Sequence, residues 1–303
     1  MKFDHVLLMG HGGPRKPDEV MPFLQAMTAG KNISVERLNT AARNYEMIGG
    51  ASPYHDEVMR FAEHLEISHK DAGVDLPVFI GMKYWHPFFE DVLPEIRAKG
   101  HRKGLGIALN AFPGAVAGVG YRESLEAAKT SPELSVLHYD FLNSWYDRKL
   151  FIEAQAEEVL KTFKTIPEKE RRVTPIIFSF HSLPVRTGRN YSEEANTASA
   201  LVAKELGHAK WSVVYQSRSA SAEEPWLGPD ICEEIGSLSR SGEKRVVVVP
   251  LGFLCDHVEI LYDLDHRARH AVEKGGMEYL RARTVIGHPK ITQLLTELIA
   301  AEG

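Results

Sequence analysis

The chain has few of the features that mark three large classes of protein. Only two cysteines, Cys232 and Cys255, occur in 303 residues. That number excludes a disulfide framework and is half of what a four-thiolate iron–sulfur cluster needs. The formal net charge is −5, without the basic excess that displaces counterions from phosphates. We therefore expect reduced, structural cysteines and no nucleic-acid partner.

Long hydrophobic runs and phosphate-binding motifs are also missing. No stretch approaches the ~18 apolar residues that span a bilayer. The first apolar run, MKFDHVLLMG, is interrupted by Asp4 and His5 and is too short for a signal-peptide core. The GHGG run at 10–13 lacks both the G-x-G-x-x-G spacing and the ending of a P-loop. We expect a cytoplasmic protein with no transmembrane segment and no nucleotide cofactor.

What the chain does contain is a regular alternation of short β-rich runs and longer helical stretches. With 44% hydrophobic and 25% charged residues, it has enough apolar material for a sizeable core. The alternation predicts parallel sheets covered by helices on both faces. The predicted strands are 5–10, 76–82, 104–112, 134–141, 174–180, 211–216 and 245–253, and the clearest helices are 87–100, 151–166 and 193–207. The run VVVVP predicts a central, doubly buried strand.

The two halves of the sequence resemble each other. In each, an early strand is followed by a His and, three residues later, a Pro: His11 with Pro14, and His181 with Pro184. We predict an α/β fold of two similar Rossmann-like domains, residues 1–150 and 151–303, with a helical crossover at about 151–172. Open α/β sheets bind ligands at the carboxyl ends of their strands. The active-site cleft is therefore expected between the domains.

The strongest chemical signal is the segment PLGFLCDHVEILYDLD at 250–265. Asp256, His257 and Glu259 follow a buried strand where a helix begins, and Asp263 lies four residues beyond Glu259, on the same helical face. Alternatively, Asp256 is a helix N-cap and Glu259 its capping-box partner. The sequence leaves both open, because one carboxylate can cap a helix and still face a cleft.

Two histidines at strand ends give the second signal. His181, in FSFHSLP, follows a buried strand, and a neutral imidazole there can bind a divalent metal or accept a proton. The alternative is a structural histidine. His11 holds the corresponding place in the first half, either as an axial ligand or cleft wall or as a histidine in a glycine-rich turn.

Seven ordered motifs together resemble one known family. They are VLLMGHGGP, NYEMIGGASP, GMKYWHPFFEDVLPEI, SWYD, FSFHSLP, YQSR with PWLGPD, and VPLGFLCDHVEILYDLD. Over nearly its whole length the chain resembles ferrochelatase, most closely the compact bacterial form that acts on coproporphyrin. The resemblance implies insertion of Fe(II) into a porphyrin in haem biosynthesis, with coproporphyrin III favoured over protoporphyrin IX. It implies no cofactor beyond the substrate Fe(II), and we expect a monomer.

The resemblance also implies roles for particular residues. His181 and Glu259 match the pair that handles the incoming iron and the pyrrole protons, and we expect them to face each other across the cleft. Asp263 continues an acidic row thought to feed the metal, and His257 is expected to assist Glu259 through a hydrogen bond. The residues expected to bind the substrate porphyrin are His11, Tyr45, Ser52, Lys83 and Tyr121.

The chain departs from the family pattern at four positions. His11 stands where close relatives have Tyr, a residue that can ligate the product iron, so axial coordination is expected either by imidazole or not at all. Arg267 stands where they usually have Glu, and its positive charge is expected to weaken a metal path there. Asn44 and Thr28 replace arginines that lie near substrate carboxylates, so substrate identity is less certain than reaction type. Three other functions stay open: another tetrapyrrole metal chelatase, a haem carrier without turnover, and a two-domain small-molecule binding protein.

Overall fold

The computed structural model describes residues 2–112, 117–218 and 224–303. The strands are β1 His5–Gly10, β2 Val78–Met82, β3 Lys103–Ala108, β4 His138–Phe141, β5 Ile176–His181, β6 Trp211–Gln216, β7 Arg245–Val249 and β8 Glu278–Arg281. The helices are α1 Val20–Met27, α2 Val35–Met47, α3 Tyr54–Asp71, α4 Phe89–Ala98, α5 Ala117–Ala128, α6 Pro132–Ser135, α7 Lys149–Phe163, α8 Glu168–Arg171, α9 Val185–Glu205, α10 Ile231–Arg240, α11 Val258–Leu261, α12 Arg269–Lys274 and α13 Pro289–Glu302. A 3₁₀ turn, Pro17–Glu19, precedes α1, and a π-helical segment, Asp263–Ala268, precedes α12. None of the described helices combines the length and apolar character needed to cross a bilayer.

The chain forms two compact units, each built around its own parallel sheet. The first contains Met1–Asn143 and Ile286–Gly303, and the second contains Ser144–Val285. The observed boundary between the units, at 143/144, lies close to the predicted domain boundary at 150/151. The difference is at the carboxyl end, where α13 returns to the first unit. There it packs against α3 through a buried apolar face, and the Thr296 hydroxyl donates to Ser68 Oγ at 2.9 Å.

Both sheets have the same topology. The first has the strand order β2-β1-β3-β4 and the second β6-β5-β7-β8, and every pairing within them is parallel. The predicted pair of similar Rossmann-like α/β domains is confirmed. In each unit the strand order reverses between two central strands, β1 with β3 and β5 with β7. In open α/β sheets, ligands bind at the carboxyl ends of the two strands between which the order reverses.

The centre of the second sheet follows directly from the sequence. Val246, Val247, Val248 and Val249 of β7 are fully buried, and each such side chain contributes roughly 1.5 kcal/mol or more when removed from water. The strand lies between β5 and β8 and ends at Val249, directly before Pro250, which has no N–H to continue the ladder. The predicted central, doubly buried strand is confirmed.

Some predicted elements differ from those observed. The segment 134–137 was expected to begin a strand, but Pro132–Ser135 is a helical turn because a proline at its first position and a following glutamate favour helix initiation. The strand predicted over 104–112 ends at Ala108. The edge strand β8 was not predicted, because its EYLR sequence is short and half polar.

Candidate active site

The carboxyl end of β5 presents one imidazole in a defined orientation. Nδ1 of His181 lies 2.6 Å from the carbonyl oxygen of Ser182 and donates to it. In the neutral ring this places the proton on Nδ1 and leaves the lone pair on Nε2. Ser182 is held in turn: its N–H donates to the carbonyl of Gln216, and its hydroxyl to that of Leu227, both at 2.8 Å. The orientation of the His181 ring is therefore fixed by the hydrogen bond at Nδ1, and Nε2 is left on the other side.

The carboxylate of Glu259, on the helix that follows β7, lies beside that imidazole. Glu259 is the second residue of α11, and its Oε1 is 3.5 Å from Nε2 of His181. The two side chains are 35% and 34% exposed, so solvent or a ligand can reach both. The expectation that they come from opposite sides of a cleft is wrong, because both belong to the second unit. They meet because β5 and β7 are parallel neighbours whose carboxyl ends share one edge.

The start of α11 is capped by His257 rather than Asp256. Nδ1 of His257 accepts the N–H of Glu259 at 3.2 Å. Asp256 is instead bound by the Arg281 guanidinium at 3.0 Å and by the Thr284 hydroxyl, also at 3.0 Å. The capping-box alternative is therefore wrong, because the largely buried Arg281 binds the Asp256 carboxylate away from the helix end. The expected hydrogen bond between His257 and Glu259 is made to the backbone.

A buried glutamine that the sequence reading missed supports the pair. Gln216 ends β6 and is fully buried. Its side-chain NH₂ donates to the carbonyl of Glu259, and its side-chain oxygen accepts the Ser179 hydroxyl. Gln216 thus joins β5, β6 and α11 at one point. Its sequence signals were its place at a strand end and in the YQSR motif, and neither distinguishes a site residue from a core residue.

Asp263 lies at the start of the π-helical segment, one turn beyond Glu259. Its carboxylate accepts the Ser217 hydroxyl, and Nε of Arg267 is 3.9 Å from its Oδ1. Burial raises the pKa of Asp263, opposed by Ser217 and Arg267. Arg267 also binds Asp230 at 3.0 Å. Arg267 is therefore a cation placed between two carboxylates.

Backbone irregularity is concentrated around these residues. Ser217 has a φ of 60°, the left-handed region that non-glycine residues seldom adopt. The π-helical segment Asp263–Ala268 follows α11 after one residue, and such segments are frequent at functional sites. Both features lie next to Glu259 and Asp263.

The charge state of His181 is governed by its carboxylate neighbour. Burial alone would lower the pKa of His181, but the charge of Glu259 and a hydrogen bond to it raise that pKa to about 9. At neutral pH the pair is therefore an imidazolium and a carboxylate. A metal ion that binds Nε2 must displace this proton.

Three of the predicted substrate-binding residues lie near one another in the first unit. His11 follows β1, and its ring is 4.7 Å from that of Tyr84 and 6.0 Å from that of Phe23. Phe23 also contacts Tyr45 of α2, at 6.1 Å. Lys83 follows β2, next to Tyr84, and its Nζ donates to the Gly120 carbonyl at 3.0 Å.

The other two predicted substrate-binding residues are largely buried. Ser52 supports the turn after β1: its N–H donates to the Pro14 carbonyl at 2.8 Å, and its Oγ accepts the Tyr54 N–H. Tyr121 lies in the hydrophobic core with Leu7 and Met9. The first-unit residues and the group of His181, Glu259 and Asp263 thus belong to different units.

The glycines of the GHGG run have a structural explanation. Gly12 has a φ of 88°, and a Cβ there would lie 2.8 Å from the backbone nitrogen of Trp85. Only glycine avoids both problems. Gly12 is therefore required by a close backbone approach.

Comparison with solved structures defines the class of fold. The sirohydrochlorin chelatase SirB from Bacillus subtilis subspecies spizizenii has a TM-score of 0.59 and 12% identity, covering 98% of this chain and 93% of that one. CbiX, described as the terminal enzyme for sirohaem biosynthesis in denitrifying bacteria, has a TM-score of 0.56 and 15% identity, covering 98% of each chain. The architecture is that of the two-domain chelatases.

Sequence comparison places the chain within that class. Residues 4–302 match the ferrochelatase family model. The coproporphyrin III ferrochelatase of Mycolicibacterium smegmatis is 33% identical over 99% of this chain and 89% of its own length. That of Nocardia farcinica is 33% identical over 99% and 88%. The chain belongs to the ferrochelatase family, and the resemblance predicted from its motifs is confirmed.

Proposed function

We propose that this chain inserts Fe(II) into a porphyrin in haem biosynthesis, and that its substrate is coproporphyrin III. The observation that carries the proposal is the 3.5 Å separation of His181 Nε2 and Glu259 Oε1 at the carboxyl edge of the second sheet. One nitrogen donor and one oxygen donor, both partly exposed, suit a borderline divalent metal. The curated relatives, named as coproporphyrin III ferrochelatases, support the choice of substrate.

The reaction requires proton removal as well as metal delivery. A free porphyrin carries two N–H protons, and both leave as one Fe²⁺ enters, so the macrocycle loses two positive charges and gains two. We assign His181 Nε2 as the acceptor of the pyrrole protons, one at a time, after it has passed its own proton to Glu259 or to water. Each accepted proton leaves by the same route before the next is taken, and the deprotonated Nε2 then contacts the metal. Glu259 balances the charge of the imidazolium and shares the metal.

Two further residues have supporting roles in this proposal. Asp263, with its raised pKa, lies one turn from Glu259 and is assigned to pass metal or protons to and from the pair. Gln216 is a positioning residue, because it holds the backbone carbonyl of Glu259 against β5. Both act without needing to touch the macrocycle.

Substrate contacts are assigned to the first unit. His11 and Lys83 directly follow β1 and β2, at the carboxyl edge of the first sheet. The ammonium group of Lys83 can pair with a propionate carboxylate of the porphyrin. Tyr45, Ser52 and Tyr121 are assigned to the same surface or its support. No resident cofactor is included in the proposal, since two cysteines cannot supply four thiolates to a cluster.

Anaerobic metal insertion followed optically tests the proposal. His181→Ala and Glu259→Gln should each lower turnover by at least about 100-fold while porphyrin still binds, since each removes a group needed at the reacting nitrogens. The matched controls His270→Ala and Glu273→Gln change the same residue types at exposed positions of α12 and should keep full rates. Near-normal rates in both site variants would refute the assignment.

The choice of substrate is tested separately with wild-type protein. Coproporphyrin III should give a higher kcat/KM than protoporphyrin IX under the same conditions. A preference for protoporphyrin IX would overturn the substrate assignment and leave the reaction type standing. Absence of insertion into either porphyrin would overturn the reaction itself.

A further inference from the structure

The first unit carries a second group of metal-ligating side chains, at the amino edge of its sheet. His5 begins β1, Asp4 directly precedes it, and His101 lies just before β3. Because β1 and β3 are parallel neighbours, with His5 paired to Gly104, their starts lie side by side. One donor atom from each of Asp4, His5 and His101 is within 4.8 Å of the other two. In the described part of the chain no other trio of His, Cys, Asp or Glu meets this condition.

The separations are close to those of a coordinated ion. Oδ1 of Asp4 lies 3.6 Å from Nδ1 of His101 and 2.6 Å from Nδ1 of His5. Ligands ~2.1 Å from a tetrahedral ion are roughly 3.4 Å apart. The Asp4–His101 separation already fits, and the Asp4–His5 hydrogen bond must open by less than about 1 Å.

The donors are oriented by their neighbours as metal ligands are. Oδ2 of Asp4 accepts the N–H groups of Arg102 at 2.8 Å and Lys103 at 3.1 Å, which directs Oδ1 toward the histidines. Nε2 of His5 lies 3.0 Å from the Tyr139 hydroxyl. Such partners behind a ligand set its tautomer and direction.

Packing holds the two imidazoles in place. The rings of His5 and His101 each lie 5.7 Å from the ring of Phe79, edge to face, and 5.4 Å from each other. The side chain of His5 is fully buried, whereas those of His101 and Asp4 are 19% and 40% exposed. The group is therefore rigid on one side and open to water on the other.

We propose that Asp4, His5 and His101 bind one divalent first-row transition-metal ion, of which Zn²⁺ and Co²⁺ are the test cases. Two imidazoles and one carboxylate, with the remaining positions left to water, form a ligand set. This set suits such ions better than it suits Mg²⁺ or Ca²⁺, which prefer oxygen ligands. On binding, His5 ligates through Nδ1 and carries its proton on Nε2, where it donates to the Tyr139 oxygen. The ion ties the start of β1 to the turn before β3. The site does not depend on the proposed reaction.

Metal titration of full-length, metal-free protein tests the site. The parent for the experiment carries His181→Ala and Glu259→Gln, so that ions are not bound by the pair in the second unit. Equilibrium dialysis with Co²⁺, together with its visible absorption, should show one equivalent bound to the parent. Adding His101→Ala or Asp4→Asn should weaken binding by at least tenfold, because each removes one of three ligands. Adding His138→Ala, an exposed histidine at the start of β4, should leave it unchanged.

A second readout separates a built site from adventitious surface binding. Zn²⁺ should raise the unfolding temperature of the parent and of the His138 variant by at least about 2 °C, and that of the His101 variant by much less. Equal cobalt binding by the His101 and His138 variants would overturn the proposal. So would a parent that binds no cobalt at all.

Discussion

The side-chain amide of Gln216 donates a hydrogen bond to the backbone carbonyl of Glu259. The same side chain accepts the hydroxyl of Ser179 in the adjacent strand, so one buried residue sets the distance between β5 and the segment that carries the carboxylate. The 3.5 Å approach of Glu259 to His181 depends on this connection, because α11 is a single turn and cannot fix its own position. Four predictions follow from this and the neighbouring contacts.

The first concerns Gln216 itself. Gln216→Leu keeps the size of the side chain but leaves the Glu259 carbonyl and the Ser179 hydroxyl without this partner, which costs roughly 1–3 kcal/mol for each buried polar group. Turnover should fall more than tenfold with little change in porphyrin KM. Gln293→Leu, on the exposed face of α13, is the control. Steady-state kinetics and denaturant unfolding measure both effects; unchanged kcat with a lowered stability would make Gln216 merely structural.

The second concerns the charge of His181, whose pKa of about 9 exceeds the ordinary histidine value of 6.5. The ion pair with Glu259 therefore contributes stability that is fully present below about pH 6.5 and is lost as pH rises through about 9. Metal binding at Nε2 should tighten over the same upper range, because the competing proton leaves. NMR titration of the ring should show the raised pKa in wild type and a lower one in Glu259→Gln. Equal values in the two proteins would contradict the assigned cause.

The third concerns Arg281, which holds the loop before α11 and the π-helical segment together. Its guanidinium binds Asp265 at 2.8 and 2.9 Å and Asp256 at 3.0 Å, and its side chain is only 14% exposed. Arg281→Met leaves two partly buried carboxylates without their cation and should destabilise the protein by about 3–5 kcal/mol. Urea unfolding at pH 7 measures the loss. Lys274→Met, at an exposed position of α12, should change stability by less than about 0.5 kcal/mol.

The fourth concerns Arg267, the cation at the end of the acidic row. Arg267→Gln removes a positive charge 3.9 Å from Asp263, and an interaction of this kind is worth about 1 kcal/mol in water. The KM for Fe(II) should fall several-fold at low ionic strength, and the effect should shrink at high salt. A KM that rises, or is unaffected by salt, would mean that the metal does not pass Asp263. Some stability should be lost as well, because Asp230 also loses its partner.

Much of the fold was predictable because it depends on local pattern. The run of four valines in β7 specifies a buried central strand, and the alternation of strands and helices specifies parallel sheets. The edge strand β8 was not predictable, because EYLR has too little apolar periodicity to be distinguished from a loop. The packing of α13 in the first unit was also not predictable, since the apolar face of a helix does not indicate which sheet or helix will cover it.

The close approach of His181 and Glu259 was predictable, and the way the surrounding residues hold them was less so. His181 and Glu259 were found because each follows a buried strand in a recognisable motif. The predicted second domain, residues 151–303, already contained both, but the expectation that they face each other across the cleft was wrong. The capping of α11 by His257 rather than Asp256 was not foreseen. Gln216 was missed although it lies in the YQSR motif, because the motif does not show which groups its side chain will bind.

The sequence by itself determined the α/β architecture, the family and the two side chains proposed to do the chemistry, since these depend on the order and spacing of residues along the chain. Tertiary structure alone decided which residues hold the side chains of His181 and Glu259 in position. Arg281 takes Asp256 away from the helix end, Gln216 clamps the carbonyl of Glu259, and Glu259 raises the pKa of His181 to about 9. Each of these is a contact between residues far apart in the chain, and its strength depends on distance and burial that only the folded protein sets.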